Sequence, residues 1–131
     1  MGARFLPCGD TGLTVQFDGA DLRDTNARAL QLHAALNDAP PEGVIESVPT
    51  YRSLTLHYDP CRTCHAALTG LVTATLDALP EPQPGEARHW SLPVCFEGEH
   101  APDVEEVCRQ TGLGRAEILA ILTETVQSVY M

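Results

Sequence analysis

The stretch VIESVPTYRSLTLHYDP, residues 44–60, decides how the rest of the chain is arranged. In its second half, SLTLHY, apolar and polar residues alternate, which is the two-residue period of a strand with one buried face. Its first half, VIESV, is rich in β-branched residues, and Pro49 ends it because proline has no N–H to donate to a sheet. We therefore predict two strands joined near Thr50 to Ser53, at the centre of an α+β sheet.

A helix is predicted directly after the second strand. Asp59 can accept hydrogen bonds from exposed N–H groups of a following helix, and Pro60 suits the first turn. We expect this helix to run to about Leu79, where Pro80 ends it. Its predicted apolar stripe consists of Cys64, Leu68, Leu71, Val72, Thr75, Leu76 and Leu79.

The residues before this stretch predict two further strands and a helix. ARFLPCGD and GLTVQFDG indicate strands with a turn at Gly9 to Gly12. From Leu22 to Ala39 the period becomes helical, with Asp24 or Thr25 as the expected cap and Pro40 after the end. The apolar stripe of this helix is Ala29, Leu32, His33 and Leu36. Together these elements predict a two-layer ββαββα domain over residues 1–80.

The segment EPQPGE, residues 81–86, is rich in proline and glycine and is predicted to be a linker to a second domain, residues 87–131. HWSLPVCF predicts a strand that Pro93 restricts to a sheet edge. Residues 103–110 and 115–125 predict a helical pair separated by Gly112, and VQSVYM predicts the start of another strand. Because a strand needs partners, this second domain is expected to be the truncated start of a larger one.

The chain is strongly acidic and contains no lysine. Its 131 residues carry 8 arginines against 18 Asp plus Glu, a formal net charge of −10. This charge repels phosphate backbones, and no basic stripe with interleaved aromatics counteracts it, so we exclude nucleic-acid binding. No apolar run approaches the roughly 20 residues of a membrane-spanning helix, and MGARFLPCGD lacks the apolar core of a signal peptide. We expect no membrane association and a cytoplasmic location.

Five cysteines, at positions 8, 61, 64, 95 and 108, are expected to be reduced and to serve as small core residues. The segment Cys61-Arg62-Thr63-Cys64-His65 matches the CxxCH pattern of c-type haem attachment. A redox pair at a helix N-terminus and a metal site are alternatives, although no second ligand pair follows at a suitable spacing. The structural alternative has Cys64 buried on the helix stripe and Cys61 exposed. We favour it and expect no bound metal or cofactor.

The sequence contains no complete catalytic constellation. There is no GxSxG motif, the five histidines are scattered, and the turn GDTG, residues 9–12, lacks the lysine of a phosphate-binding loop. Tyr51 and Arg52, at the tip of the central strand pair, are candidates for binding a carboxylate or a partner surface. An exposed turn arginine with a tyrosine that packs on the linker is the simpler alternative.

Three stretches, in this order, carry a resemblance to a known family: RFLPCGDTGLTVQF, GVIESVPTYRSLTLHYDP and HWSLPVCFEGEHAPDVEEVCRQTGL. They resemble the family variously called allophanate hydrolase subunit 1, the B component of 5-oxoprolinase, or sporulation-kinase inhibitor. The resemblance implies an N-terminal α+β domain followed by a cyclophilin-like β-barrel that begins after the linker. It also implies assembly with sibling subunits into a complex that uses ATP to open the lactam ring of 5-oxoproline, giving glutamate.

The chain also departs from this family. A segment of the form GFxPGFxYL is expected soon after VYM, and the chain ends at Met131. Leu122, Gln127 and Ser128 stand where the family has a histidine and a tyrosine-arginine pair. We therefore carry over no catalytic residue and expect no catalysis from this chain alone. The alternatives are a regulatory module that inhibits a sensor histidine kinase and subunit 1 of an allophanate hydrolase or urea amidolyase system.

Overall fold

The computed structural model describes residues 2–82 and 88–130. By their internal contacts these residues divide into two units: unit 1 comprises residues 1–87 with Tyr130–Met131, and unit 2 comprises Arg88–Val129. Each unit is described by itself. Most of the predicted linker, residues 83–86 among them, lies outside the described residues.

Unit 1 is built on a four-stranded antiparallel sheet, in the order β1-β2-β4-β3. The strands are β1 Gly2–Pro7, β2 Gly12–Asp18, β3 Val44–Pro49 and β4 Ser53–Tyr58. The predicted pair joined near Thr50 is confirmed. Its second strand, β4, also pairs with β2, so the alternating stretch lies inside the sheet and not at its edge.

Two helices, α1 Leu22–Asp38 and α2 His65–Ala78, cover one face of this sheet and form the predicted two-layer ββαββα arrangement. The alternation in β2 and β4 places every second side chain against the helices. The main core cluster draws on both layers: Val15, Phe17, Ala29, Leu32, Leu36, Leu54, Leu56 and Val72. On the opposite face the hydroxyls of Thr14 and Thr55 hydrogen-bond at 2.9 Å, next to the exposed apolar side chains of Leu6 and Val48.

The cap of α1 differs from the prediction. Asp21 is the N-cap: its backbone is extended and its Oδ1 accepts a hydrogen bond from the Arg23 N–H at 2.7 Å. Thr25 is instead fully buried within the helix, and its hydroxyl donates to the Asp21 and Leu22 carbonyls. Asp24 lies in the first turn. Asp21 takes the cap because a short polar side chain in the extended conformation reaches the first free N–H groups.

Helix α2 begins later than predicted, at His65. The Asp59 carboxylate accepts from the Cys61 N–H at 2.9 Å and its carbonyl accepts from the next two N–H groups, so it closes a turn and caps no helix. Cys64 is then the extended N-cap residue and is exposed, which corrects its predicted place on the buried stripe. Of that stripe only Leu68 and Val72 are buried.

The C-terminal end of α2 is held by a residue of α1. Arg28 donates from Nη2 to the Leu76 carbonyl and from Nη1 to the Pro80 carbonyl, both at 2.8 Å. Gln31 adds a bond to the Pro80 carbonyl at 3.1 Å. Since α2 has no basic residue in its own last turn, this guanidinium supplies the positive charge that the carbonyl end of a helix favours.

Unit 2 contains a 3₁₀ turn at Gly98–His100 and the two predicted helices, α3 Val104–Thr111 and α4 Arg115–Glu124. Gly112 ends α3 in the left-handed conformation, with φ 73°, as predicted. At the start of α4 the Gly114 N–H donates to Glu117 Oε2 at 2.8 Å. Glycine has no side chain to complete the reciprocal bond of a capping box.

The two strands predicted after the linker are wrong. The described residues 88–97 and 126–130 contain neither helix nor strand. A strand is stable only beside another strand, and the described part of unit 2 offers none. The start of a β-barrel is therefore not observed.

The prediction that the cysteines are core residues is also wrong. All five are free, and four are exposed: Cys8, Cys61, Cys64 and Cys95. Cys108 is half-buried. They lie in turns, in irregular segments or on a helix surface, where sequence composition alone does not determine burial.

Candidate interaction site

The structure brings together no metal or catalytic cluster. Among residues 2–82 and 88–130 there is no group of three or more His, Cys, Asp or Glu side chains that could hold a metal ion. In the CxxCH segment both thiols are exposed, and His65 is the first residue of α2. No helix in this part of the chain is long and apolar enough to cross a membrane.

Unit 2 contains an apolar groove with a volume of about 920 Å³. It runs between the irregular segment 93–96 and the helices α3 and α4. Its lining is apolar apart from a few polar groups: Pro93, Val94, Cys95, Phe96, His100, Ala101, Pro102, Asp103, Val104, Val107, Thr111, Leu113, Ile118, Ile121 and Leu122. We call this surface the unit 2 groove.

Apolar side chains around the unit 2 groove are largely exposed to solvent. Trp90 is 75% exposed, and further exposed residues of the unit are Leu92, Val94, Ile121, Leu122, Val126 and Val129. The buried apolar residues of the unit are Val104 and Ile118. A unit this small with so little core gains little from the hydrophobic effect. An exposed apolar groove is typical of a site that binds other polypeptide.

A second concave region, of about 500 Å³, lies in unit 1 near the start of β3 and the end of β4. A β-bulge between Val44 and Glu46 lies beside it, and its charged or titratable residues are Glu46, His57, Tyr58, Asp59 and Arg62. Arg62 forms an exposed ion pair with Glu42 at 3.4 Å. Side chains of both signs are dispersed along an open rim, which is not the arrangement of a catalytic pair.

The predicted binding residues Tyr51 and Arg52 lie at the tip of the β3–β4 hairpin. Tyr51 is 43% exposed and its ring contacts the ring of Tyr130 edge to face, with centroids 4.9 Å apart. The carbonyl of Arg52 accepts from the Phe17 N–H at 3.0 Å, which ties the tip to β2. Tyr51 thus packs against Tyr130, and most of the linker, on which it was expected to pack, lies outside the described residues.

Sequence reasoning missed Asn26, which joins these residues. Its side chain is 6% exposed, and its Nδ2 donates to the Tyr51 carbonyl at 3.0 Å and to the Tyr130 carbonyl at 3.2 Å. The signal was present in the sequence, because Asn26 lies three residues before Ala29 and therefore on the buried stripe of α1. A buried side-chain amide needs hydrogen-bond partners, so a buried Asn26 predicts nearby carbonyl groups.

The sheet with its two covering helices makes unit 1 a mixed α/β module, and unit 2 carries an apolar groove. A family model described as carboxyltransferase domain, subdomain C and D, matches residues 3–131. The chain belongs to this carboxyltransferase domain family, which confirms the resemblance carried by the three sequence stretches.

Among curated proteins, the chain is similar to the B component of 5-oxoprolinase of Bacillus subtilis (strain 168). The two are 28% identical over 133 residues, which cover 94% of this chain and 55% of the relative. The chain therefore spans about half the length of this relative.

Two solved structures are also similar. A crystal structure of TTHA0988 has a TM-score of 0.68 and 34% identity, and the match covers 91% of this chain and 23% of that one. A conserved uncharacterized protein from Pyrococcus horikoshii, PH0987, has a TM-score of 0.51 and 25% identity, over 93% of this chain and 56% of that one.

Proposed function

We propose that this chain is the N-terminal part of the B component of an ATP-dependent 5-oxoprolinase, a hydrolase complex that opens the lactam of 5-oxoproline to glutamate. The similarity to the B component of 5-oxoprolinase supports the assignment. The chain contributes by assembly, as a cytoplasmic scaffold to which sibling subunits and further polypeptide bind. The cyclophilin-like barrel of this proposal is completed by that further polypeptide.

The observation that carries the proposal is the exposed apolar surface of unit 2. We assign the unit 2 groove as the binding site for further polypeptide of the kind that the longer relatives contain and this chain lacks. That polypeptide supplies the remaining part of the relative from Bacillus subtilis, of which this chain covers 55%. It buries Ile121 and Leu122 of the groove and also Trp90, which is exposed in the same unit but does not line the groove. Each large apolar side chain that becomes fully buried stabilises the assembly by about 1.5–3 kcal/mol.

We infer that ATP binds to a sibling subunit, and the charge of this chain supports the inference. The chain has a formal net charge of −10 and no lysine, so its negative electrostatic potential repels a nucleoside triphosphate. The turn at residues 9–12 is a tight β1–β2 connection in which the Cys8 N–H donates to the Gly12 carbonyl at 2.9 Å. It cannot cradle phosphates in the manner of a lysine-containing loop.

Co-expression with sibling subunits and the remaining polypeptide of the B component tests this proposal. We expect ATP-dependent release of glutamate from 5-oxoproline by the complex and none by this chain alone. Leu122→Glu in the unit 2 groove should abolish co-purification and glutamate release. Leu30→Glu is the matched control, because Leu30 on α1 is 41% exposed and Leu122 is 48% exposed. The control should leave both properties unchanged.

Trp90 gives an independent readout because it is the only tryptophan. Its fluorescence should shift to shorter wavelength when the added polypeptide covers it. Hydrolysis of 5-oxoproline by this chain alone, or full activity of the Leu122→Glu complex, would contradict the proposal. Inhibition of a histidine kinase and allophanate hydrolysis, the two alternatives implied by the resemblance, are not favoured by the similarity to 5-oxoprolinase and serve as negative controls.

A further inference from the structure

We propose that Asn26, with the tip of the β3–β4 hairpin, forms a binding site for polypeptide main chain, and that its occupant is the segment of this chain that follows unit 2, at Tyr130. The proposal is independent of the function proposed above. It starts from a buried polar side chain whose partners come from two separate parts of the sequence. We call Asn26, Tyr51 and Tyr130 the tip site.

The geometry of the tip site matches the chemistry of a side-chain amide. An asparagine NH₂ group has two hydrogens, and the two nearest acceptors of Asn26 Nδ2 are the Tyr51 carbonyl at 3.0 Å and the Tyr130 carbonyl at 3.2 Å. The Thr50 carbonyl lies further away, at 3.4 Å. With the side chain only 6% exposed, water cannot easily replace either partner.

The hairpin tip is held by hydrogen bonds that do not involve Tyr130. Thr50 N–H donates to the Ser53 carbonyl at 2.7 Å, and the hydroxyls of these two residues lie 2.7 Å apart. The Arg52 carbonyl accepts from the Phe17 N–H of β2. A site whose acceptors are already held in place loses little conformational entropy when it orders a flexible segment.

The occupant is selected by both backbone and ring. Any residue at position 130 offers a carbonyl to Asn26, but an aromatic ring is needed for the edge-to-face contact with Tyr51, at an interplanar angle of 85°. By its internal contacts Tyr130 belongs to unit 1. Asn26 is therefore a positioning residue: it determines where the main chain returns to unit 1.

Fluorine NMR of the whole chain labelled with 3-fluorotyrosine tests the tip site, because the chain has three tyrosines. Tyr51 and Tyr130 report on the site, and Tyr58, which is 5% exposed in the core, reports on folding. Asn26→Ala should move the Tyr51 and Tyr130 resonances by more than their linewidths and leave the Tyr58 resonance in place. Asn37→Ala, on the same helix, should move neither tip resonance.

A wild-type Tyr130 resonance at its denatured-state position would overturn the proposal. The proposal would also be overturned if the Tyr51 and Tyr130 resonances of Asn26→Ala did not move. If Asn26→Ala unfolds unit 1, the Tyr58 resonance moves as well. Tyr130→Leu then tests the contact without removing a core group. It should shift the Tyr51 resonance and leave Tyr58 unchanged, and an unmoved Tyr51 resonance would exclude the contact.

Discussion

Gly43 is required by both its backbone conformation and its surroundings. Its φ is +80°, a left-handed value that costs a residue with a Cβ roughly 1–2 kcal/mol. An added Cβ would also lie 2.9 Å from Thr63 Cγ2 and 3.1 Å from Arg62 Cβ. The turn that follows β4 therefore approaches β3 as closely as it does only because residue 43 has no side chain.

We predict that Gly43→Ala lowers the free energy of unfolding of unit 1 by at least about 1–2 kcal/mol, through strain and contact together. Urea unfolding followed by far-UV circular dichroism measures this. Gly70→Ala is the control: Gly70 lies inside α2 with open space around its Cα, so alanine should stabilise the helix by about 0.5–1 kcal/mol. Equal effects of the two substitutions would contradict this account.

Among the secondary-structure elements, Arg28 connects α1 to the C-terminal end of α2. It donates to two carbonyls at the end of α2, so we predict that Arg28→Ala lowers the free energy of unfolding by about 1–2 kcal/mol. Arg28→Lys should recover only part of this, since an ammonium lacks the fork that reaches both carbonyls.

Hydrogen exchange of the α2 amides measures the Arg28 effect locally. Exchange in the last turn of α2 should accelerate in Arg28→Ala by roughly tenfold, which corresponds to about 1.4 kcal/mol. Arg23→Ala, at an exposed position in the first turn of α1, is the matched control and should change little. Unchanged α2 exchange in Arg28→Ala would show that the carbonyl contacts contribute nothing.

The elements that could be predicted from sequence are those whose signal is local. The alternation in SLTLHY and the glycine after α3 depend on neighbouring residues, and both were predicted correctly. Asp59 was misassigned because the same carboxylate geometry closes a turn or caps a helix. The strand expected around Pro93 is absent because a strand depends on a distant partner. The burial of Asn26 could be predicted from its place on the stripe of α1, but its partners come from two other stretches of the chain and only a structure could reveal them.

The two units differ in how much apolar surface they bury. In unit 1 the sheet and helices enclose eight residues of the main core cluster, whereas in unit 2 the buried apolar residues are Val104 and Ile118. We predict that amides of α3 and α4 exchange with solvent at least about a hundredfold faster than those of α1, a difference of roughly 2.7 kcal/mol in opening free energy.

Hydrogen exchange with mass-spectrometric detection measures both units in one sample. Binding of further polypeptide to the unit 2 groove should slow exchange in α3 and α4 and leave α1 unchanged, since only the former line the groove. Equal protection of α1 and α4 in the isolated chain would refute the stated difference between the units.

Both outer strands of the sheet end in proline: β1 at Pro7 and β3 at Pro49, and β3 carries a bulge as well. Proline offers no N–H to an arriving chain, and a bulge interrupts the repeat that an added fifth strand would need. The sheet is therefore poorly suited to intermolecular pairing and fibre growth. Aggregation at high concentration should begin at Trp90 and its apolar neighbours, and charged substitutions there, not at the strand margins, are the way to improve solubility.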